Sequence, residues 1–542
     1  MSIVSSLFVQ TVNFLTLGRE TEFANIFSIS TTEYSLAPLV FVLTAALLVH
    51  FTRSLFKVPK WQGPADSIYA AHRTDNELNI KSGLASTLAA LISASGGASV
   101  GQYGPLVHFG ATMGSAVRQL SRGVLTTDIF IGCGVAGAIA AGFGAPLAAI
   151  IFAHEAILRH FSLRAVAPIA ISSVSASWFS NHLFNQTKIF DLNVGELDLG
   201  TFLPIALLTG PIFALVAILF MNSIRVSSSV AQKSPMSPLQ NIILAAVVVG
   251  TCGIFLPQVL GLGTGPLNLI LNDSYNLEFL ILLFGFKLVL TAICIGFGLH
   301  GGIFSPALFV GAAAGSILIK PLSFLLGTTA STAMAVCGMV AVGSAVIGAP
   351  LTGVILIFEL TMNYEFAIAA MLSTVTCIVF TNLFFGNSFF DRQLLDRGVD
   401  ISRGRGHLEM MEAPIITLVS SNYIGVKPNM TCSEAISLLL DANQTEAYLI
   451  SDNFRFLGKV SLHSLVNQSP DHKVNEFSNS NALSIKSDAS LQQAIEIASG
   501  FVGESIPVID RASGVLKGVI TEADIFKKYL ELQGKVTDLE KS

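Results

Sequence analysis

Gly101-Gln-Tyr-Gly-Pro105-Leu-Val-His-Phe-Gly110-Ala111-Thr-Met-Gly114-Ser115 is matched later in the chain by Gly302-Ile-Phe-Ser-Pro306-Ala-Leu-Phe-Val-Gly311-Ala312-Ala-Ala-Gly315-Ser316. Gly, Pro, Gly-Ala and Gly-Ser fall at identical offsets in the two stretches. A second match follows each: Gly144-Ala-Pro-Leu147 leads to Glu155, and Gly348-Ala-Pro-Leu351 leads to Glu359. A repeated apolar unit in which proline opens a helix after a glycine-rich break is the plan of a transporter or channel with its site between two halves.

The physics of such a break favours anions. A helix N-terminus leaves about four N–H groups unpaired and carries roughly half a positive charge. Glycines let the backbone approach an ion, and proline in the first turn sacrifices no hydrogen bond. A bare anion in a low-dielectric interior costs tens of kcal/mol, so compensation is essential. Partial charges hold an ion loosely enough to release it. Neither stretch contains Lys or Arg, which suits permeation better than storage. Small-residue packing between transmembrane helices explains one such motif, but not two with matching context.

The rest of the composition agrees. Of 542 residues, 52% are hydrophobic and 12% charged, whereas soluble domains carry about 25% charged residues. Mean hydropathy is +0.67. Net charge is −5 with no basic stripe, so nucleic acid is excluded as a partner. The cysteines (133, 252, 294, 337, 377, 432) lie mostly in apolar runs without metal or disulfide spacing and read as small buried hydrophobes. No basic n-region with an A-x-A-like site opens the chain. The apolar run Ile3 to Leu17 is shorter than the roughly 20 residues a span needs.

Apolar stretches predict helices near 37–56, 83–97, 105–118, 128–142, 146–158, 163–184, 201–224 and 240–255. More follow near 265–272, 278–297, 306–325, 332–347, 350–361 and 365–385. Several are too short to cross the hydrocarbon alone, and helices ending at bilayer depth must be buried in protein or line a wet cavity. Arg392, Arg397, Arg403 and Arg405 cluster after the last run, which places the C-terminal domain in the cytoplasm. That domain holds its own duplication. Ser433-Glu-Ala-Ile436, Ala447-Tyr-Leu-Ile-Ser-Asp452 and Gly458-Lys-Val-Ser461 are echoed by Gln493-Ala-Ile495, Ser505-Ile-Pro-Val-Ile-Asp510 and Gly518-Val-Ile-Thr521. Each unit reads helix, strand, strand, helix.

Gly301-Gly-Ile-Phe-Ser-Pro306, followed by Ala-Leu-Phe-Val-Gly-Ala312, resembles the central anion-binding signature of the CLC chloride channels and transporters. Gly101-Gln-Tyr-Gly-Pro105 stands where that family has Gly-(Arg/Lys)-Glu-Gly-Pro. Gly144-Ala-Pro-Leu-Ala-Ala-Ile-Ile-Phe-Ala-His-Glu155 is similar to its next helix, and Ser388-Phe-Phe-Asp391 to the start of its last membrane helix. The C-terminal pair resembles CBS domains. The resemblance covers nearly the whole chain. It implies an all-α polytopic membrane domain over residues 1–400, built as two inverted repeats with broken helices (37–185 and 201–390). A cytoplasmic α/β CBS pair would follow at 411–470 and 476–535. The assembly implied is a homodimer in the cell (inner) membrane with one pore per subunit. Chloride or a similar small anion would be the permeant ligand, and no cofactor is required.

Carried over by position, the amides of Ile303 and Phe304, beside Gly302, would hold a central anion. Those around Gln102, Tyr103 and Gly104 would face an outer one. Phe390 takes the place of a tyrosine whose hydroxyl touches the central ion. The family's first signature is degenerate here as Lys60-Trp-Gln-Gly-Pro64, with Trp61 where a serine would contact the anion. Trp61, Gln62 and Gly63 would line the inner pathway.

Three departures bear on mechanism. Tyr103 replaces the outer gating glutamate, Ala156 replaces the inner proton-relaying glutamate, and both hydroxyl ligands are missing. Tyrosine titrates near pH 10 when unperturbed, so Tyr103 stays neutral and would act as a steric or hydrogen-bonding gate. The expectation is passive anion permeation. A proton-coupled exchanger with another proton route, and a CBS-regulated sensor with a poorly conducting pore, remain the alternatives. Each lost hydroxyl removes roughly 1.5–3 kcal/mol of anion binding, unless water replaces it.

His108 and His154 lie near the pathway segments, either as proton carriers or as helix histidines bonded to neighbours. Glu155 and Glu359 read either as functional intramembrane carboxylates or as structural bonds to loop amides. Thr521 and Asp524 in Gly518-Val-Ile-Thr521-Glu-Ala-Asp524 resemble the ribose- and phosphate-contacting pattern of CBS pairs that bind adenine nucleotide, while Ser461-Leu-His-Ser464 lacks the acid. No Ser-His-Asp set, Walker loop or metal cluster appears in the sequence, which argues against an enzyme.

Overall fold

The computed structural model describes residues 2–21, 28–29, 34–73, 77–121, 125–184, 190, 192 and 195–541. The chain divides into two compact units, Met1–Asp400 and Ile401–Ser542.

Among the described residues, the regular structure of the first unit is helical apart from one short antiparallel pair, β1 (Ser28–Ile29) with β2 (Tyr34–Ser35). Its first half runs α1 (Ser2–Thr21), α2 (Ala37–Phe56), α3 (Pro64–His72), α4 (Ile80–Ser95), α5 (Tyr103–Leu120), α6 (Thr127–Phe143), α7 (Pro146–Phe152) and α8 (Leu163–Phe184). Its second half runs α9 (Leu199–Lys233), α10 (Pro238–Phe255), α11 (Thr264–Leu271), α12 (Leu277–Phe297), α13 (Phe304–Ile319), α14 (Ser323–Ile347), α15 (Pro350–Thr361), α16 (Tyr364–Phe384) and α17 (Phe389–Leu395). Among the described residues, 7 helices are long and apolar enough to cross a membrane. One of them, Leu326–Ile347, has its whole apolar window buried inside the protein, so it is a core helix with no lipid face.

The structure departs from the hydropathy reading at several ends. α5 and α13 start at Tyr103 and Phe304, so Pro105 and Pro306 sit in the first turn and do not open it. The first-turn N–H they lack has no helical partner anyway. α9 runs past the expected residue 224 because a helix that has left the apolar layer can continue on polar sequence, here to Lys233. α3 was not foreseen, because its 9 residues are too few for a period to register. The 146–158 helix changes at Ala153 into a π-helical turn ending at Leu158.

Glycine pairs bring the crossing helices together identically in both halves. Gly110 of α5 lies against Gly134 of α6, and Gly311 of α13 against Gly338 of α14. A side chain on any of them would strike the opposite glycine's carbonyl. The halves meet where Gly101 and Gly302 form an antiparallel bridge, with N–H···O distances of 2.7 and 2.6 Å. Equivalent residues that pair antiparallel are related by a local twofold axis. The halves are therefore related by rotation about that axis, which duplication alone does not establish.

The second unit opens with α18 (Gly404–Glu412) and repeats one motif twice. The copies are β3 (Gly425–Val426), α19 (Cys432–Asp441), β4 (Glu446–Ile450), β5 (Phe456–Ser461), α20 (Leu462–Val466), and β6 (Ile485–Lys486), α21 (Leu491–Ala498), β7 (Ile506–Ile509), β8 (Leu516–Ile520), α22 (Glu522–Lys541). The leading strand of each pairs parallel with the next, and the last two pair antiparallel. Each copy thus gains a short strand over the expected helix, strand, strand, helix. Tyr448, Ile509, Leu516 and Val519 form the shared core between the copies.

Candidate functional site

The loops before α5 and α13 bring the two helix N-termini together at the Gly101–Gly302 bridge. Neither first turn has a side-chain cap, so its N–H groups are presented by bare backbone. A Cβ on Gly302 would lie 2.8 Å from the Gly104 nitrogen and 3.1 Å from the Gly101 oxygen. Only glycine permits this approach. Lys287, fully buried in α12, braces the arrangement from behind. Its Nζ donates to the carbonyls of Val259 and Gly261 at 3.0 and 2.9 Å, and the Gly261 N–H donates to the Gly97 carbonyl at 3.0 Å.

Two cavities meet at these termini. A vestibule of ≈ 660 Å³ is lined by Trp61, Gln62, Gly63, Gly301, Gly302 and Ile303 among others. A chamber of ≈ 30 Å³ lies among Tyr103, Val107, Ile139, Phe143, Phe152 and Leu356, with room for about one water-sized occupant. Pro64, Gly104, Phe304 and Phe390 line both cavities and so form the neck between them. The structure therefore gathers the sequence-selected residues at 61–63, 103–104, 302–304 and 390 around one passage. Gln102 and Ala156 line neither cavity. Gln102 is buried, and its Oε1 has no hydrogen-bond partner among the described residues.

The vestibule is electropositive. Arg53, Lys60, Arg225 and Arg397 line it against Asp66 and Asp396. Both carboxylates are already held, by Arg397 at 2.7 Å and by Arg225 at 3.0 Å. Arg53 donates to the carbonyls of Val58 and Pro59. The chamber is apolar and closed by aromatic packing. The Tyr103 ring stacks on Phe143 at 3.6 Å between centroids and meets Phe304 edge-on at 6.3 Å; Phe143 and Phe304 are 5.9 Å apart. Phe143 escaped the sequence reading, although it directly precedes the repeated Gly144-Ala-Pro.

The intramembrane glutamates have structural partners. Glu155 accepts the N–H groups of Leu351 and Thr352 at 2.9 and 2.8 Å and the Thr352 hydroxyl at 2.8 Å. Glu359 accepts those of Leu147 and Ala148 at 2.9 and 2.8 Å. Each carboxylate caps a helix of the opposite half, where the N-terminal dipole favours negative charge. His108 is similarly engaged: Nδ1 with the Ser67 hydroxyl at 2.8 Å and Nε2 with Gln62 Oε1 at 3.3 Å. In the π-helical turn, His154 Nδ1 donates to the His160 carbonyl at 3.1 Å, and its Nε2 has no partner among the described residues.

In the C-terminal unit, Thr521 and Asp524 engage each other. The Thr521 hydroxyl donates to Asp524 Oδ2 at 2.6 Å, and the Asp524 N–H donates back to the hydroxyl oxygen at 3.1 Å. The cleft between the copies holds a Lys459–Glu446 ion pair at 2.5 Å. There the Tyr448 hydroxyl donates to the Ser505 carbonyl at 2.8 Å. Burial pushes the Tyr448 phenol up to about 12.

Residues 41–382 match the family model described as voltage gated chloride channel, and residues 474–531 match the CBS domain. The chain is similar to the H(+)/Cl(-) exchange transporter ClcA of Vibrio cholerae serotype O1 (strain M66-2), with 28% identity over 308 residues, 55% of this chain and 66% of that protein. It thus spans just under two thirds of that relative's length. A putative chloride channel protein ClcB-like of Ralstonia nicotianae is 27% identical over 331 residues, 58% of this chain and 76% of that one. Among solved structures, a slow cyanobacterial Cl−/H+ antiporter aligns with a TM-score of 0.66 at 22% identity, covering 73% of this chain and 95% of that one. A eukaryotic CLC transporter aligns with 0.61 at 18% identity, covering 96% of each. Inverted halves, paired helix N-termini and a duplicated α/β tail therefore have a family to go with them: the chain belongs to the voltage gated chloride channel (CLC) family of anion channels and transporters, multi-pass membrane proteins and not enzymes, and carries a C-terminal CBS domain.

Proposed function

We propose that this protein is a passive anion pathway, passing chloride or a similar small anion without stoichiometric proton exchange. The observation that carries this reading is Tyr103. At the mouth of α5, where the chamber is closed, stands a neutral aromatic stacked on Phe143, and among the described residues no carboxylate lines the chamber. An uncharged ring cannot displace an anion by charge or carry protons near pH 7; it gates by occupying space. On the other route, Ala156 has nothing to titrate.

In this reading the electropositive vestibule concentrates anions. Trp61, Gln62 and Gly63 form its wall, and the amides of Ile303 and Phe304, next to Gly302, meet the ion at the neck. Phe390 supplies apolar wall in place of a hydroxyl. Tyr103 and Gly104 face the next position, with Gln102 behind them. Partial charges from two inverted helices offset dehydration without trapping the ion.

Chloride efflux from liposomes, recorded together with external pH, tests the proposal. Efflux without proportional proton movement is expected; a fixed ratio of protons to chloride would refute it. That second result would favour a proton-coupled exchanger, a reading motivated by the names of the Vibrio relatives and by the unpartnered His154 Nε2. Absence of flux would leave a CBS-regulated sensor. The same reading assigns a homodimer in the inner membrane with its C-terminal pair in the cytoplasm. Thr521 and Asp524 are the residues there for an adenine nucleotide, whose binding would have to break their mutual bond.

A further inference from the structure

His300 immediately precedes Gly301-Gly302 and lines the vestibule beside the first turn of α13. Its ring stacks on Trp61, 5.5 Å between centroids with 25° between planes. One ring nitrogen bonds the Gln62 backbone. Nε2 is buried and has no hydrogen-bond partner among the described residues, so the backbone bond falls to Nδ1. A buried polar atom left unpaired in this way calls for a ligand. Neither Trp61 nor Phe390 offers a hydroxyl to the same space.

We propose that His300 Nε2 forms an anion subsite at the vestibule face of the neck, occupied when the imidazole is protonated. The inference rests on the anion-pathway reading above. A neutral ring that donates through Nδ1 presents a lone pair at Nε2, which repels an anion. Protonation converts that atom into a charged donor beside the N–H groups of α13. Proton and anion then bind together, each raising the affinity for the other by the same factor.

The surroundings set the sign. Burial comes first and disfavours the charged ring; His108 on α5 and Asp66 on α3 are the titratable groups whose charge also acts on it. Asp66 favours the charged ring but is tied to Arg397 at 2.7 Å. A charged His108 would oppose it, but both its nitrogens are occupied by Ser67 and Gln62. Lys60, Arg53 and the Arg225–Asp396 pair stand around the same vestibule. They disfavour a second cation there until an anion arrives. Anion occupancy is therefore what the proton awaits.

Trp61 reports on this directly, because a protonated imidazole stacked on indole quenches its fluorescence. The chain has 2 tryptophans, and the other, Trp178, is 58% exposed. In a Trp178→Phe protein titrated from about pH 8 to about pH 3, a window widened below the ordinary histidine range because a buried ring resists charge, fluorescence should fall with acid. Replacing gluconate by saturating chloride should raise the midpoint by about one pH unit, matching on the order of tenfold coupling. His300→Gln should abolish the quench. An unmoved midpoint, or a quench that survives His300→Gln, would overturn the proposal. If that variant fails to fold, the chloride-dependent midpoint of the Trp178→Phe protein decides alone. Flux in liposomes separates the two readings. A chloride-linked midpoint without flux at any pH supports the subsite and sinks the pathway. Flux with an unmoved midpoint does the reverse.

Discussion

Gly101 and Gly302 occupy one place in two copies of a repeat, and each donates its N–H to the other's carbonyl, at 2.7 and 2.6 Å. The bridge fixes the separation of the two helix N-termini by backbone alone, with no side-chain freedom in the linkage. Gly302→Ala would push a methyl to 2.8 Å from the Gly104 nitrogen. A loss of a few kcal/mol is expected, seen as a lower unfolding midpoint in detergent and a smaller monodisperse fraction. Gly265→Ala, where nothing lies within 4 Å, should leave both unchanged.

Glu155→Gln and Glu359→Gln each weaken a two-pronged cap on a buried helix end. The expected cost is about 1–3 kcal/mol for each, read as thermal unfolding of the purified protein. The larger effect is expected for Glu155, which also accepts the Thr352 hydroxyl. Unshifted midpoints in both would show that the carboxylates do not carry structure.

Tyr103→Phe preserves the stack on Phe143 and should change anion flux less than about twofold. Tyr103→Ala removes the plug and should raise flux on the order of tenfold, equivalent to about 1.4 kcal/mol of barrier. Parallel efflux assays check both. Equal flux in wild type and Tyr103→Ala would remove the ring from the gate.

Tyr448 gives the C-terminal unit a pH signature. Its phenol is pushed up to about 12 by burial, so folding favours the protonated form. That contribution is complete below about pH 10 and disappears as pH rises from there toward about 12. Tyr448→Phe should lose roughly 1 kcal/mol near neutrality through its bond to Ser505 and flatten the alkaline decline. Unfolding curves at stepped pH provide the measurement.

Much of this architecture is visible in residue order because backbone requirements fall on glycine and proline. The matched skeletons mark both broken helices, and matched Glu positions mark both caps. Direction is not visible. Duplication at 101 and 302 is compatible with either orientation, and it takes the antiparallel bridge to show that a local twofold axis relates the copies. Phe143 and His300 escaped because their significance lies in what they touch: Tyr103 in one case, Trp61 and an unfilled hydrogen bond in the other. The π-helical turn at Ala153–Leu158 has no composition of its own, and α3 is too short for periodicity to register. Gln102 came with Tyr103 and Gly104 through the family resemblance, and it lines neither cavity.

The crossed capping has one more implication. Glu155 completes α15, and Glu359 completes α7. A polypeptide ending between the halves would carry a carboxylate with no partner and a helix start with no acceptor, both stranded in lipid. Two identical copies of such a fragment, facing opposite ways, would supply each other's needs. The present chain joins two such complementary segments in one polypeptide, so each carboxylate finds its helix start without a second molecule.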